Sequence, residues 1–281
     1  MDMTLRLTDH YQSLVRKGTL KPDKAQTAML PVLERIALAL SAPVKRSLFR
    51  KPPEPPKGLY LWGGVGSGKS MLMDLFVDTL TDIPVRRVHF HAFMQEMHGA
   101  MHIARQQGVE DVIAPVAASV AANIRLLAFD EMQITDITDA MIVGRLFEAL
   151  FQAGVVIVAT SNRVPDDLYK DGLNRQLFLP FIDLIKARMQ VRELASPTDY
   201  RQNRLQGSPV YFTPVSADTR SRVRAVWHDL AGGEGEPLTL RVKGRDVILP
   251  AFRNGVARAT FYDLCGRMLG PADYLALADA V

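Results

Sequence analysis

The stretch Gly63-Gly64-Val65-Gly66-Ser67-Gly68-Lys69-Ser70 decides how this chain is read. It fits the pattern G-x-x-x-x-G-K-[ST], and its flanks agree with that pattern. Leu59-Tyr60-Leu61-Trp62 ahead of it reads as a buried strand, and Met71-Leu72-Met73-Asp74-Leu75-Phe76 behind it continues as a helix. Glycines let backbone N–H groups turn inward around phosphate oxygens. The helix that follows adds its positive dipole end and its own unpaired N–H groups. In such a loop Lys69 neutralises the outer phosphates and Ser70 offers a hydroxyl to Mg²⁺, and the binding run extends from Gly63 through Met71. A bare glycine-rich turn between strand and helix would share the local pattern, so a second motif has to separate the two readings.

Arg125-Leu126-Leu127-Ala128-Phe129-Asp130-Glu131 supplies it: an apolar strand ending in two acids, some 60 residues after the loop. A buried strand delivers Asp130 to its carboxyl edge, where with Ser70 it can hold Mg²⁺ or a metal-bound water. Glu131 is placed to take a proton from an attacking water. Val155-Val156-Ile157-Val158-Ala159-Thr160-Ser161-Asn162 is another apolar strand with a polar end. Asn162 can orient that water or touch the terminal phosphate, and an Asx turn before Pro165 explains it equally well. Arg163 and Arg175 follow. An arginine near the terminal phosphate stabilises charge in the transition state, and Arg175, at a helix start after Asn174, can reach a neighbouring subunit.

Around these motifs, strands at 59–63, 85–91, 125–129, 155–160 and 188–194 alternate with helices at 69–80, 92–106, 138–152 and 174–187. That alternation predicts an α/β fold with a parallel sheet flanked by helices, a P-loop NTPase whose ligand lies beyond the carboxyl ends of the strands. The expected organisation is N-terminal helices (4–17 and 23–41) and a basic Pro-rich linker in 1–57, an ATPase core in 58–196, and a small β insertion with a helical tail in 197–281. Strands at 209–215, 238–243 and 246–250 make up the insertion. Pro22-Asp23-Lys24-Ala25-Gln26 reads as a capping box; an approach of Gln26 to a nucleotide base is the sharper alternative.

Composition narrows the class. Residues 1–57 hold eleven Lys and Arg against five Asp and Glu, although the whole chain is only +4. That asymmetry suits an acidic partner, a membrane surface or nucleic acid, or simply a solvated helix pair. The one cysteine, Cys265, excludes an intrachain disulfide; beside Phe261, Leu264 and Leu269 it reads as a small core residue. No apolar run approaches the ~20 residues of a spanning helix, and Asp2, Arg6 and Asp9 interrupt any secretory signal, so the expected setting is the cytoplasm. Met94, Met97, His98, Met101 and His102 share a helical face that reads as core or partner surface rather than a metal site. His89 and His91 flank Phe90 on a strand and read as packed beside the sheet.

Together, GLYLWGGVGSGKSMLMDLF, VHFHAFM, FDEMQITDITDAM, ATSNRVPDDLYKDGLNRQLFLPFI and the tail RATFYDLCGRMLGPADYLALA resemble the ZapE-type AAA+ ATPases. These are bacterial cell-division ATPases and mitochondrial relatives named for "ATPase family gene one". The resemblance spans roughly 5–280 and implies an AAA+ fold, ATP and Mg²⁺ as cofactors, ATP hydrolysis, protein clients and a homo-oligomeric ring. Gly63 to Ser70 match its Walker A loop, Asp130 and Glu131 its Walker B acids, Asn162 its sensor 1, and Arg175 its trans-acting arginine finger. For bacterial members it implies work at the division septum with FtsZ; the lack of an Arg-rich leader favours this over the mitochondrial reading. Peripheral membrane association is an expectation that the basic N-terminal charge allows. Met132 stands where the family shows Phe. Members continue past DYLALA, which implies an incomplete C-terminal lid here. A nucleic-acid-directed ATPase such as a helicase loader, and a truncated nucleotide-binding module without hydrolysis, are the alternatives. Residues 44–57 and 209–250 are the expected client contacts.

Overall fold

The computed structural model describes residues 6–42, 55–196 and 211–281. Linker residues 51–54, most of the basic 44–57 segment, the helix start at 4–5 and strand residues 209–210 lie outside the described residues. The chain divides into two compact units, Met1–Asn203 and Arg204–Val281.

In the first unit, helices α1 (Leu7–Arg16) and α2 (Lys24–Ser41) precede an alternation that runs β1 (Gly58–Trp62), α3 (Lys69–Asp78), β2 (Val85–His89), α4 (Phe90–Gln106), α5 (Ile113–Ala121), β3 (Leu126–Asp130), α6 (Ile137–Gln152), β4 (Val156–Ser161), α7 (Leu179–Arg188) and β5 (Met189–Glu193). The strands form one parallel sheet in the order β2-β3-β4-β1-β5. Position in that order explains composition. The inner strands β3 and β4 are buried along their whole length, while the edge strand β2, VRRVH, is half-buried at best. A parallel strand covered by helices on both faces must read as a continuous apolar run.

Successive side chains on a strand point to opposite faces, and two cores result. Tyr60, Leu127, Phe129, Ile157 and Ala159 pack with α4 to α7, whereas Leu59, Leu61, Leu126, Ala128, Val156 and Val158 pack with α1, α2 and α3. Met94, Met97 and Met101 belong to the first core, as their helical spacing suggests. Of the histidines beside them, His98 bonds Asp139 at 2.7 Å and His102 bonds Gln106 at 3.1 Å.

The second unit holds α8 (Ala217–Ala231), a β6–β7 hairpin (Glu236–Val242 and Arg245–Arg253), β8 (Val256–Arg258) and α9 (Pro271–Ala280). Ser216 and Thr219 form a capping box on α8. The hairpin turns at Lys243-Gly244, both at positive φ, as a two-residue loop between right-twisted strands requires. Leu277 of α9 closes a small core with Val242, Val247 and Leu249.

Several expectations change. Helix α8 occupies part of the anticipated β insertion, and 211–215 form no strand. Helix α5 was not foreseen. His91 lies on α4 rather than on a strand, because β2 ends at His89. The helix expected from 174 starts at Leu179, after a 3₁₀ turn at Arg175–Leu177, with Pro180 in its first turn, where a missing N–H costs nothing. Cys265 is exposed, on a π-turn at Tyr262–Gly266 that carries it outward. Among the described residues, no helix is long and apolar enough to cross a membrane.

Candidate functional site

Strand β1 ends at Trp62, and the chain turns through Gly63–Gly68 into α3. Two of the turn's glycines sit in the left-handed region, Gly66 at φ 79° and Gly68 at φ 91°, which a Cβ would make costly. Gly63 is required by proximity instead: a Cβ there would lie 2.6 Å from the Leu194 carbonyl oxygen. Among the described residues, the amides of Val65, Gly66, Ser67 and Gly68 make no bond within the protein. Buried Lys69 donates from Nζ to the carbonyls of Gly63 (2.9 Å) and Gly64 (2.8 Å), with the Ser67 hydroxyl at 3.4 Å, so its charge sits inside the loop. Unspent amides, a lysine and a helix start form a donor set that suits phosphate.

Asp130 ends β3 beside this loop and is 4% exposed. Its Oδ1 accepts from Ser70 Oγ at 3.0 Å and from Thr160 Oγ1 at 2.7 Å; its Oδ2 accepts from Arg87 at 2.6 Å. Burial opposes ionisation, but the hydrogen bonds from Thr160, Arg87 and Ser70, with the Arg87 charge, outweigh it and hold the carboxyl below its usual range. The two residues expected to bind metal are thus in direct contact. A hydroxyl paired with an ionised carboxylate next to a phosphate cradle is the hard-oxygen set Mg²⁺ prefers, so the residues fit the cation and the nucleotide together.

Glu131 follows with its backbone at φ 53°, uncommon outside glycine. Neighbours hold this turn: the Glu131 amide donates to Thr160 Oγ1 (3.0 Å) and the Met132 amide to the Thr160 carbonyl (2.7 Å). The turn leaves the Glu131 side chain exposed, while Met132 fills a buried position in the core. Asn162 is exposed, one residue past β4, at the same carboxyl edge of the sheet. Arg175 stands apart from this group. It donates to the Asp166 carbonyl, while its buried Nε has no partner among the described residues. Arg163 is exposed, and its carbonyl accepts from Tyr60 Oη at 2.8 Å.

Two contributors, Thr160 and Arg87, escaped the sequence, and a third, Gln26, was expected to make a different contact. Thr160 joins both acids through one hydroxyl. Arg87 bridges Asp130 and Asp74 across β2, β3 and α3. Gln26 caps nothing with its side chain. Asp23 caps α2 alone, accepting from the amides of Ala25 and Gln26, while the Gln26 amide group reaches the loop at Ser67. The pair Arg86-Arg87 on an apolar-framed strand was the available signal for the second.

Removing Arg87 leaves two carboxylates facing each other, one of them buried. Arg87→Ala is expected to cost about 1–3 kcal/mol, less than a fully buried pair because the arginine side chain is 30% exposed. The depressed Asp130 pKa contributes stability that is present above the unfolded carboxylate value and is lost as pH falls through the folded one. Without Arg87 that folded value moves up, so the acid-unfolding midpoint, followed by circular dichroism, should shift to higher pH. An unchanged midpoint would contradict the bridging role.

The family described as AFG1-like ATPase matches residues 5–281. The uncharacterized protein C115.02c of Schizosaccharomyces pombe is 39% identical over 275 residues, covering 92% of this chain and 60% of that protein. Lactation elevated protein 1 homolog B of Danio rerio is 34% identical, covering 97% and 66%. Cell division protein ZapE of Escherichia coli (strain K12) is 36% identical over 288 residues, covering 96% and 76%. The chain therefore spans 60% to 76% of the length of these relatives. With the family model matched over nearly the whole chain, the chain belongs to the AFG1-like ATPase family.

Proposed function

We propose that this chain hydrolyses ATP to ADP and phosphate and uses the cycle to remodel protein clients. The observation that carries the reading is the 3.0 Å bond between Ser70 and Asp130 beside a loop whose amides from Val65 to Gly68 are uncommitted among the described residues. The loop amides and Lys69 bind the triphosphate tail. Ser70 and Asp130 would hold Mg²⁺, which neutralises phosphate charge when bound. Glu131 takes the proton of the attacking water, its backbone fixed by Thr160, and Asn162 orients that water from the end of β4. Arg175 acts across a subunit boundary in a homo-oligomeric ring.

Work in bacterial cell division is supported by the name of the Escherichia coli relative. FtsZ as a client rests on the sequence resemblance, a cytoplasmic setting on the sequence pattern, and peripheral contact with the membrane on the basic charge of residues 1–57. Pulldown with a hydrolysis-blocked variant in ATP tests the client: retention of FtsZ supports it, and retention of other proteins alone contradicts it. The nucleotide step is tested by phosphate release and by fluorescent-nucleotide binding. Lys69→Ala should weaken ATP binding by about tenfold or more, as expected for a lost charge-assisted contact to phosphate. Binding equal to wild type would overturn the assignment.

A further inference from the structure

The phosphate loop is braced from behind by the N-terminal helices. Gln26, on the first turn of α2, is 1% exposed, and Tyr11 of α1 is 2% exposed. Gln26 Nε2 donates to the Ser67 carbonyl at 3.0 Å, and Tyr11 Oη donates to Gln26 Oε1 at 3.0 Å. The orientation of this amide is fixed by chemistry, because a carbonyl can only accept; the nitrogen must face Ser67, and the oxygen is left for the tyrosine. Burial pushes the Tyr11 pKa up, so its hydroxyl remains a donor. The base of the brace is tied as well: Asp23 Oδ1 accepts from the Gln26 backbone at 3.1 Å, and Asp23 Oδ2 accepts from Ser196 Oγ at 2.6 Å.

The consequence follows from peptide geometry. The Ser67 carbonyl and the Gly68 N–H belong to one planar trans unit and point in opposite directions. A donor that pulls the carbonyl outward turns the N–H toward the inner face of the loop, where a phosphate oxygen would lie. Gly68 is also where the brace allows no side chain: a Cβ there would sit 2.5 Å from Gln26 Nε2. We propose that Gln26, held by Tyr11, is a positioning residue that presets the Gly68 peptide for phosphate, so that the N-terminal helix pair sets nucleotide affinity without touching nucleotide. The inference rests on the phosphate-site reading above. It also separates Gln26 from a base-contacting role, because both ends of its amide are already engaged within the protein.

The test uses the chain as it stands, with the fluorescent nucleotide mant-ADP as probe. Gln26→Met keeps length and neutrality but removes the donor, and should raise the mant-ADP Kd about tenfold. Tyr11→Phe leaves Gln26 in place but frees its amide to turn, and should raise Kd about threefold. Hydrogen exchange across residues 63–70 should quicken in both. Should Gln26→Met fail to fold, Tyr11→Phe decides. Lowered melting temperatures with wild-type Kd and exchange in the loop would overturn the inference while leaving the phosphate site intact. Failure of the wild-type chain to bind mant-ADP would overturn the site reading and this inference together.

Discussion

Glu131→Gln is expected to lower ATP turnover by about 10²–10⁴-fold while leaving ATP affinity within about twofold of wild type. The size follows from the role: a positioned base acts on the water proton in the transition state, whereas the amide is isosteric and cannot accept a proton at neutral pH. Affinity survives because the phosphate contacts come from the loop and Lys69, not from this side chain. The Glu131 amide is held by Thr160 and the carbonyl of the next residue, Met132, by Ser161, which the substitution does not touch. Single-turnover hydrolysis and fluorescent-ATP titration read the two quantities separately. Near-normal turnover would remove Glu131 from the reaction, and loss of both turnover and binding would mean that it supports the pocket instead.

Phe129→Ala is the largest expected effect on stability. Phe129 has no exposed surface, and its ring meets Phe93 at 4.9 Å, Phe90 at 5.5 Å and Phe147 at 5.5 Å, the last nearly parallel at 16°. These rings join β3 to α4 and α6, so the cavity left behind cannot collapse without moving several elements. Such truncations cost about 3–5 kcal/mol. That is a large part of the roughly 5–15 kcal/mol that holds a domain together. For a unit of this size the melting temperature should fall by roughly 6–20 °C. A loss under about 1 kcal/mol in urea unfolding would contradict the account of this core. Asp130 is the next residue, so the variant should also weaken ATP binding.

How much of this could be read beforehand depends on whether the signal was local. Buried parallel strands announce themselves as apolar runs, and Gly63, Gly66 and Gly68 of the loop answer to φ angles and close approaches that side chains cannot accept. The five sheet strands and the placement of Ser70 near Asp130 were therefore legible. Helix α8 was not, because it buries only Thr219, Trp227 and Ala231 and shows arginines at 220, 222 and 224, leaving no apolar stripe. Helix α5 was hidden by Pro115, a loop signal in sequence that the first turn of a helix tolerates. The contacts of Gln26 with Ser67 and of Arg87 with Asp130 bridge 41 and 43 residues. No local pattern encodes such partners; the capping rule explained Gln26 locally and missed its side chain. Cys265 followed its apolar neighbours in sequence, but the π-turn exposes Phe261 with it.

The central claim is that the loop from Gly63 to Ser70 receives a triphosphate opposite Asp130. A crystal structure of the chain with a non-hydrolysable ATP analogue and Mg²⁺ tests it most directly. The expected result places phosphate oxygens about 3 Å from the loop amides and Lys69, with Ser70 on the metal and Asp130 beside it. Phosphates bound elsewhere, or a metal remote from both Ser70 and Asp130, would contradict it.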